Sequence, residues 1–452
     1  MKSRLLFAMY STGLAGLLAS LAMPVPAVAG PTPTYTVLHT FTGPDGAAPS
    51  GSLIRDDEGN LYGTTIGGGD TTDAPCTTGP FGLGCGVVYK IDRHGNESVA
   101  YAFKGGSDGA YPSTELLLDR AGNLYGTARG GGNQDSACAF TNGCGVIFKL
   151  DRHGNESVLY AFNGIANGYG VSSGLVRDDA GNLYGATVAG GVANAACTGD
   201  GPPGTCGVVY KLDPSGNQTV LHAFTGGADG YAPYGSLLLD RHGNLYGAAS
   251  NGGDTTGAFC GTTVPALAGA LGCGTIFKID RGGNFSVVHT FEGPDGGPFP
   301  DGWFAPGEAG HFYGVTGNGG NLSDCGGLGC GTIFEVDHHG NQAVLYNFTG
   351  AADGGSPLGS VIRDREDNLY TTTYQGGDTT DAACITSGGC GTVFKLDRWG
   401  HRSVLYTFTG AGDGSGPRTS LLLDKEGDLY GTTTAGGNPT CNCGTVFKIS
   451  WR

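Results

Sequence analysis

Acidic residues recur beside glycine in the loops of this chain, at similar spacing along the sequence. These residues are Asp45, Asp108, Asp229, Asp295, Asp353 and Asp413, with Asn167 at the same place in one further loop. Carboxylates gathered around one opening would attract cationic or hydroxyl-rich ligands. The alternative is that each Asp-Gly pair forms a tight turn whose side chain accepts backbone N–H groups. A feature shared by every repeat usually serves the repeat, so turn capping is favoured. We keep Asp229, Asp295 and Asp353 as candidate binding residues.

One segment departs from the pattern of the others and carries two adjacent aromatic residues. The sequence "DGWFAPGEAGHFYG" stands where related segments read "SLLLDRHGNLYG". Trp303 and Phe304 are therefore candidate stacking residues for a sugar or a peptide. Sequence drift compensated by local packing is the alternative interpretation. No carboxylate pair or acid–base pair is unique to one or two repeats, so we predict no catalytic residue.

The fourteen cysteines occur as close pairs, one pair in each repeat. The pairs are 76/85, 138/144, 197/206, 260/273, 325/330, 384/390 and 441/443. An even number of cysteines in an exported chain favours disulfides, which would pin long loops that lack apolar anchors. The pairing of Cys441 with Cys443 stays open, because a bridge across one residue is strained. A metal site would need ligands converging from several repeats, and we predict none.

Seven repeats of about 60 residues position these side chains. The signature "GNLYGTT" aligns on one tyrosine per repeat, and the run "CG(T/V)(V/I)(F/Y)K" also occurs seven times. The aligned tyrosines are Tyr62, Tyr125, Tyr184, Tyr246, Tyr313, Tyr370 and Tyr430. Each repeat reads as four short strands separated by "D-x-x-G-N" turns and one long glycine-rich loop. No segment sustains a helical apolar period.

The repeat pattern predicts an all-β fold, a seven-bladed β-propeller with four-stranded blades. The last repeat lacks its fourth strand, and the matching run "YTVLHTF" stands alone at 35–41. We therefore expect the N-terminal strand to complete the last blade and close the ring, which leaves no unpaired terminal blade. A β-helix is the rival all-β interpretation. In the propeller, the acidic loops and the cysteine loops would share one face around the central channel.

These motifs resemble the bacterial GloVer tandem-repeat family, the Gloeobacter/Verrucomicrobium repeat, over about residues 35–450. The resemblance rests on the "GNLYGTT" and "CGTVFKL" units taken together. It implies an exported protein with a propeller-like repeat. It implies no established activity and no catalytic residue.

Residues 1–29 have the pattern of a secretory signal peptide. Lys2 and Arg4 precede an apolar run, and Ala27-Val28-Ala29 forms a small-residue cleavage site. Residues 30–452 would then form a single propeller domain in the periplasm or outside the cell. Removing the peptide, which has two basic residues and no acidic one, takes the net charge from −16 to −18. This charge disfavours nucleic acid as a partner, and no later apolar stretch is long enough to span a bilayer.

Three functional hypotheses follow from this sequence. The first is a non-catalytic binding or scaffold propeller, a monomer whose partner is an unknown glycan or protein. The second is a carbohydrate-active enzyme, a lyase or hydrolase, that uses the loop-bearing face. The third is a purely structural component of the cell envelope. A quinone cofactor would be accompanied by tryptophan in most blades, whereas this chain has three tryptophans in all, so no cofactor is predicted.

Overall fold

The computed structural model describes most of the chain between residues 32 and 451. The described residues are 32–69, 76, 84–134, 138, 142–171, 173–194, 197, 204–254, 260, 272–293, 296–298, 300, 304–380, 384 and 388–451. They form seven antiparallel β-sheets arranged as the blades of a propeller, which confirms the predicted fold. We number the strands in chain order. The N-terminal strand is β1 (Thr34–Thr40), and blade 1 begins with β2.

In blades 1 to 3 the innermost strand is divided into two short segments that both pair with the second strand. Blade 1 contains β2 (Ala47–Pro49), β3 (Ile54–Arg55), β4 (Leu61–Gly67), β5 (Val87–Ile91) and β6 (Glu97–Ala102). Blade 2 contains β7 (Ala110–Pro112), β8 (Leu117–Leu118), β9 (Leu124–Gly130), β10 (Val146–Leu150) and β11 (Glu156–Ala161). Blade 3 contains β12 (Tyr169–Val171), β13 (Val176–Arg177), β14 (Leu183–Ala189), β15 (Val208–Leu212) and β16 (Gln218–Ala223).

Blades 4 to 7 have four strands each. Blade 4 contains β17 (Leu238–Leu239), β18 (Leu245–Ala249), β19 (Thr275–Ile279) and β20 (Phe285–Thr290). Blade 5 contains β21 (Ala305–Pro306), β22 (Phe312–Thr316), β23 (Thr332–Val336) and β24 (Gln342–Asn347). Blade 6 contains β25 (Ile362–Arg363), β26 (Leu369–Thr373), β27 (Thr392–Leu396) and β28 (Arg402–Thr407). Blade 7 contains β29 (Leu422–Leu423), β30 (Leu429–Thr433) and β31 (Thr445–Ser450), completed by β1.

The first and last strands of the chain pair with each other, which confirms the predicted closure. Strand β1 runs antiparallel to β31, with Tyr35 opposite Ile449 and Thr40 opposite Thr445. The ring of Tyr35 also stacks on Tyr406 of blade 6, with the ring centroids 3.7 Å apart. Closure therefore joins the two chain ends both by backbone hydrogen bonds and by side-chain packing.

The "D-x-x-G-N" segments form the predicted tight turns. In blade 1 the Asp56 carboxylate accepts hydrogen bonds from the N–H groups of Glu58 and Asn60, at 3.0 and 2.8 Å. Gly59 adopts φ +90°, which a residue with a side chain rarely adopts. The hydroxyl of Tyr62 donates to the same carboxylate at 3.1 Å. The turn sequence therefore fixes both the hairpin and the repeated tyrosine.

Apolar side chains from neighbouring blades form one core cluster at each seam. Phe103 of blade 1 packs edge-on against Phe148 of blade 2, for example, with both rings fully buried. Besides strands, the described residues contain two short 3-10 helices, at Glu308–Gly310 and Cys325–Gly327. None of the described helices has the length and apolarity that a membrane crossing requires.

Candidate functional site

Seven disulfides close the long loops that follow the second strand of each blade. Every cysteine bonds the other member of its own repeat, as predicted, and the Cys441–Cys443 pair that the sequence left open is bonded as well. The pairs are Cys76–Cys85, Cys138–Cys144, Cys197–Cys206, Cys260–Cys273, Cys325–Cys330, Cys384–Cys390 and Cys441–Cys443. Each disulfide therefore stiffens one loop at the same end of the propeller.

The second cysteine of a repeat also contacts the next blade. The carbonyl oxygen of Cys85 accepts a hydrogen bond from the N–H of Tyr111 at 2.8 Å, and Cys330 binds Ser356 in the same way at 2.8 Å. Tyr111 and Ser356 have φ of +60° and +48°, and each stands directly before a proline. The disulfide loop of one blade thus holds the start of the next innermost strand in a left-handed conformation.

The residue after that proline turns toward the propeller axis. In five blades this residue lines a central cavity of about 620 Å³; these residues are Ser50, Ser113, Tyr234, Leu358 and Arg418. The corresponding residues of blades 3 and 5, at 172 and 301, lie outside the described residues. The cavity is also lined by Ile66, Arg129 and Thr434, which lie where second strands lead into the disulfide loops. The cavity is therefore at the loop-bearing end, where the sequence placed the candidate site.

Below this opening the innermost strands carry a ring of small hydroxyl residues. The N–H of Ser360 donates to the Oγ of Ser420, and the N–H of Ser420 donates to the Oγ of Ser52, both at 3.1 Å. Glu115 occupies the equivalent position of blade 2. Burial raises the pKa of the Glu115 carboxyl to about 8. Sequence reasoning missed this acid, although it replaces a serine that most repeats share.

Two arginine side chains reach the cavity from blades 2 and 7. Arg129 is half-buried near the end of β9, and Arg418 is exposed and lies over the ring of Tyr374, 5.0 Å from its centroid. Neither guanidinium forms an ion pair with a carboxylate among the described residues. Sequence reasoning missed both arginines. For Arg418 a signal was present, because the residue after the proline varies from repeat to repeat while its neighbours recur.

The candidate acids Asp229 and Asp353 lie in the predicted turns beside the outer strands. Asp353 is 5 % exposed and accepts hydrogen bonds from the N–H of Thr349 and the hydroxyl of Tyr346, at 3.1 and 2.8 Å. Asp229 accepts from the N–H of Thr225 at 2.9 Å and contacts His222 Nε2 at 3.1 Å. Neither acid lines the central cavity. These contacts are those of turn capping, and ligand binding by these acids stays a prediction.

Of the two aromatic candidates in the divergent blade 5, the structure describes Phe304. Asp295 and Trp303 lie outside the described residues. Phe304 is 8 % exposed and packs edge-on near Phe312 and Phe334, in the core cluster between blades 4 and 5. Its role in stacking on a ligand stays a prediction, and its observed contacts are those of a core residue.

One group of side chains in the described residues has the spacing of potential metal ligands. His39, Asp45 and Glu97 bring one ligand atom each within 4.8 Å of one another at the seam of blades 7 and 1. His39 Nε2 lies 3.0 Å from the Asp45 carboxylate. Burial, with a smaller contribution from Asp45, raises the pKa of Glu97 to about 7. The group lies at the outer rim and is separate from the central cavity.

Comparison with known proteins supports the repeat assignment. The chain matches the family described as the Gloeobacter/Verrucomicrobia repeat over residues 27–198 and 254–452. A search of curated protein sequences found no match. Among solved structures, virginiamycin B lyase from Staphylococcus aureus is 11% identical, with a TM-score of 0.53, covering 92% of this chain and 99% of that chain. At this identity the likeness concerns the fold alone.

A second solved structure is the extracellular domain of a one component system from B. thetaiotaomicron. It is 13% identical with a TM-score of 0.49, and the match covers 93% of this chain and 42% of that chain. The match therefore spans less than half the length of that extracellular domain.

Proposed function

Because the chain belongs to the Gloeobacter/Verrucomicrobia repeat family and folds as a seven-bladed propeller, we propose that it is an exported binding protein that takes its ligand into the central cavity. The cavity carries this proposal. Its volume of about 620 Å³ falls in the range of small-molecule sites, and six blades contribute to its lining. We propose that the ligand is a glycan or a peptide, bound without chemical change.

The arrangement of the cavity supports a binding role. Rigid blades hold the lining residues, and the disulfides restrain the loops around them. Little conformational entropy is therefore lost when a ligand binds. The seven disulfides also fit an oxidising, exported environment. With residues 1–29 as a signal peptide, the mature chain would be residues 30–452, acting as a monomer in the periplasm or outside the cell.

The experiment is a glycan and peptide array probed with the mature protein and with a variant whose cavity is filled. Ser113→Trp places a large side chain at the cavity wall of blade 2. Ala121→Trp, in an exposed turn at the opposite end of the same blade, is the matched control. We expect Ser113→Trp to abolish binding and Ala121→Trp to retain it, with both variants melting near the wild-type temperature. Equal binding by both variants would rule out the cavity as the site.

Glu115, which follows the cavity-lining Thr114, favours a second candidate, an acid–base enzyme. A carboxyl group that stays protonated at neutral pH has the property of a general acid. To separate the two functions, the ligand identified on the array is incubated with the protein and its mass is then measured by mass spectrometry. An unchanged ligand supports binding. A converted ligand, with conversion lost in Glu115→Gln, would replace the binding proposal by the enzyme.

A further inference from the structure

We infer that the central cavity selects anionic sugars, specifically oligosaccharides that carry carboxylate groups, through Arg129 and Arg418. This inference rests on the proposed function, because it names the chemical class of ligand that the same cavity takes. It depends on four observations: a half-buried guanidinium whose Nε has no partner among the described residues, a second, exposed guanidinium, hydroxyl groups in the cavity lining, and the charge of the rest of the protein.

Arg129 carries a positive charge that the described residues leave unneutralised. Its Nε atom is buried and has no hydrogen-bond partner among them, and the guanidinium forms no ion pair with them. Burying a charged donor without a partner is costly, so such a group indicates a missing acceptor. A carboxylate in the cavity would provide that acceptor, since the planar guanidinium binds both carboxylate oxygens at once.

Arg129 differs in this respect from arginines elsewhere in the protein. Arg55 contacts Asp424 at 2.9 Å, Arg177 contacts Asp119 at 3.7 Å, and Arg402 contacts Asp353 at 3.5 Å. Other arginines without an acidic partner, such as Arg120, are exposed at turns, where water solvates the charge. Arg129, by contrast, is half-buried in the wall of the cavity and has no acidic partner among the described residues.

Arg418 provides a second positive charge at the same opening. It follows Pro417 at the start of the innermost strand of blade 7, and its guanidinium carbon lies 5.0 Å from the centroid of the Tyr374 ring, within cation–π distance. Blade 1 lies between blades 7 and 2, so the two arginines flank its lining residues. Both arginines line one cavity, so a ligand with more than one carboxylate has two cationic partners there.

Serine hydroxyl groups line the cavity in blades 1 and 2. The Oγ of Ser50 is buried without a hydrogen-bond partner among the described residues, and it lines the cavity from blade 1. Ser113 lines the cavity from blade 2. Sugar hydroxyls can donate to and accept from such groups. On the other side of the cavity, Tyr234 and Leu358 offer apolar surface suited to the C–H face of a sugar ring.

The net charge of the chain makes this site distinctive. The protein carries −16 overall, so its surface repels anions in general. An acidic sugar would therefore bind only where cationic groups are concentrated and unpaired. The cavity lining combines guanidinium, hydroxyl and apolar groups, which matches a carboxylate-bearing sugar. A simple inorganic anion has no apolar surface that could contact the apolar side of the cavity.

The test compares tri-galacturonate with its methyl ester by isothermal titration calorimetry. The ester keeps the sugar hydroxyls and replaces each carboxylate by an uncharged methyl ester, so the comparison tests the contribution of the carboxylate charge. We expect the acid to bind at least about tenfold more tightly than the ester. Raising the salt concentration from about 50 mM to about 500 mM should weaken binding of the acid and leave that of the ester unchanged.

Three variants connect the preference to the arginines. Arg129→Gln and Arg418→Gln should each reduce affinity for the acid by about tenfold and bring it close to that of the ester. Arg129→Lys keeps the charge and should retain part of the preference. Arg120→Gln, on the same blade as Arg129 but at an exposed turn, is the matched control and should leave affinity unchanged. Thermal melting checks that each variant is folded.

The outcomes separate this inference from the proposed function. If the ester or another neutral ligand binds as tightly as the acid, and Ser113→Trp abolishes that binding, the cavity is a binding site and the anionic preference is wrong. If the acid binds but Arg129→Gln and Arg418→Gln bind it equally well, the arginine assignment is wrong. If acid binding survives Ser113→Trp, both the inference and the cavity site fail.

Discussion

The carbonyl oxygen of Cys443 accepts a hydrogen bond from the N–H of Ala48 at 2.9 Å, joining the last repeat to the first. The same contact links each pair of neighbouring blades for which both residues are described. Its members are Tyr111 with Cys85, Gly170 with Cys144, Ala232 with Cys206, Ser356 with Cys330 and Gly416 with Cys390. The disulfides therefore stabilise the seams between blades as well as the loops within them.

Removing a disulfide should destabilise the protein through this seam. For the double variant Cys384→Ser with Cys390→Ser we expect a loss of about 2 kcal/mol, the chain-entropy value for a loop of this length. Urea unfolding measures it. The comparison is removal of the Cys441–Cys443 disulfide, whose cysteines are two positions apart in the sequence. Because this loop is shorter, its removal should cost less free energy of unfolding. Equal losses for the two pairs would contradict the loop-length argument.

The N-terminal strand should contribute strongly to stability, because it closes the ring. Tyr35 stacks on Tyr406 and donates a hydrogen bond to the Asp413 carbonyl oxygen at 2.7 Å. We expect Tyr35→Ala to cost about 2 kcal/mol in the free energy of unfolding. Thr36→Ala, on the exposed face of the same strand, should cost little. A larger loss for Thr36→Ala would argue against ring closure through this packing.

Glu115 should make the stability of the protein depend on pH. Burial raises its pKa in the folded state to about 8, from the ordinary glutamate value of 4.5. The folded state therefore keeps a proton that the unfolded state releases, and stability falls as the pH rises from about 4.5 to about 8. The stability of the Glu115→Gln variant should fall less over this pH range. Melting temperatures of the two proteins at pH 5 and pH 9 test this, and parallel curves would disprove it.

The seam between blades 1 and 2 offers a stabilising substitution. Glu156 begins β11 and faces Asp108, and burial and this like charge raise its pKa to about 7. At the equivalent place in blade 6, Arg402 begins β28 and forms an ion pair with Asp353 at 3.5 Å. Glu156→Arg should reproduce that ion pair with Asp108.

We expect Glu156→Arg to raise the free energy of unfolding at pH 8 by up to about 1 kcal/mol, the size of a partly exposed ion pair. At pH 5 the gain should be smaller, because the wild-type Glu156 carboxyl is protonated there and does not repel Asp108. Glu156→Gln removes the repulsion without adding the ion pair and should show an intermediate effect. A lower melting temperature for Glu156→Arg at pH 8 would show that the two seams are not equivalent.

Much of the fold could be predicted from the sequence because its determinants are local. The "D-x-x-G-N" turns fix each hairpin through hydrogen bonds within five residues, as Asp56 and Asn60 show. The cysteines pair within single loops, so their spacing identified the partners. The split repeat predicted that its two parts, β1 and β31, meet, since the last repeat is one strand short and the first strand supplies the matching sequence.

The candidate site required the tertiary structure. The repeated acids stood out in the sequence, yet Asp353 bonds Thr349 and Tyr346 in its own turn. Arg129 and Arg418 are 289 positions apart and belong to different repeats, so no local pattern relates them. Closing the ring brings both to one cavity, because the start of the innermost strand in blade 7 and the end of the second strand in blade 2 both lie beside the axis. The sequence by itself determined the blades and their order, and only the packing of seven blades around one axis decided which side chains share a site.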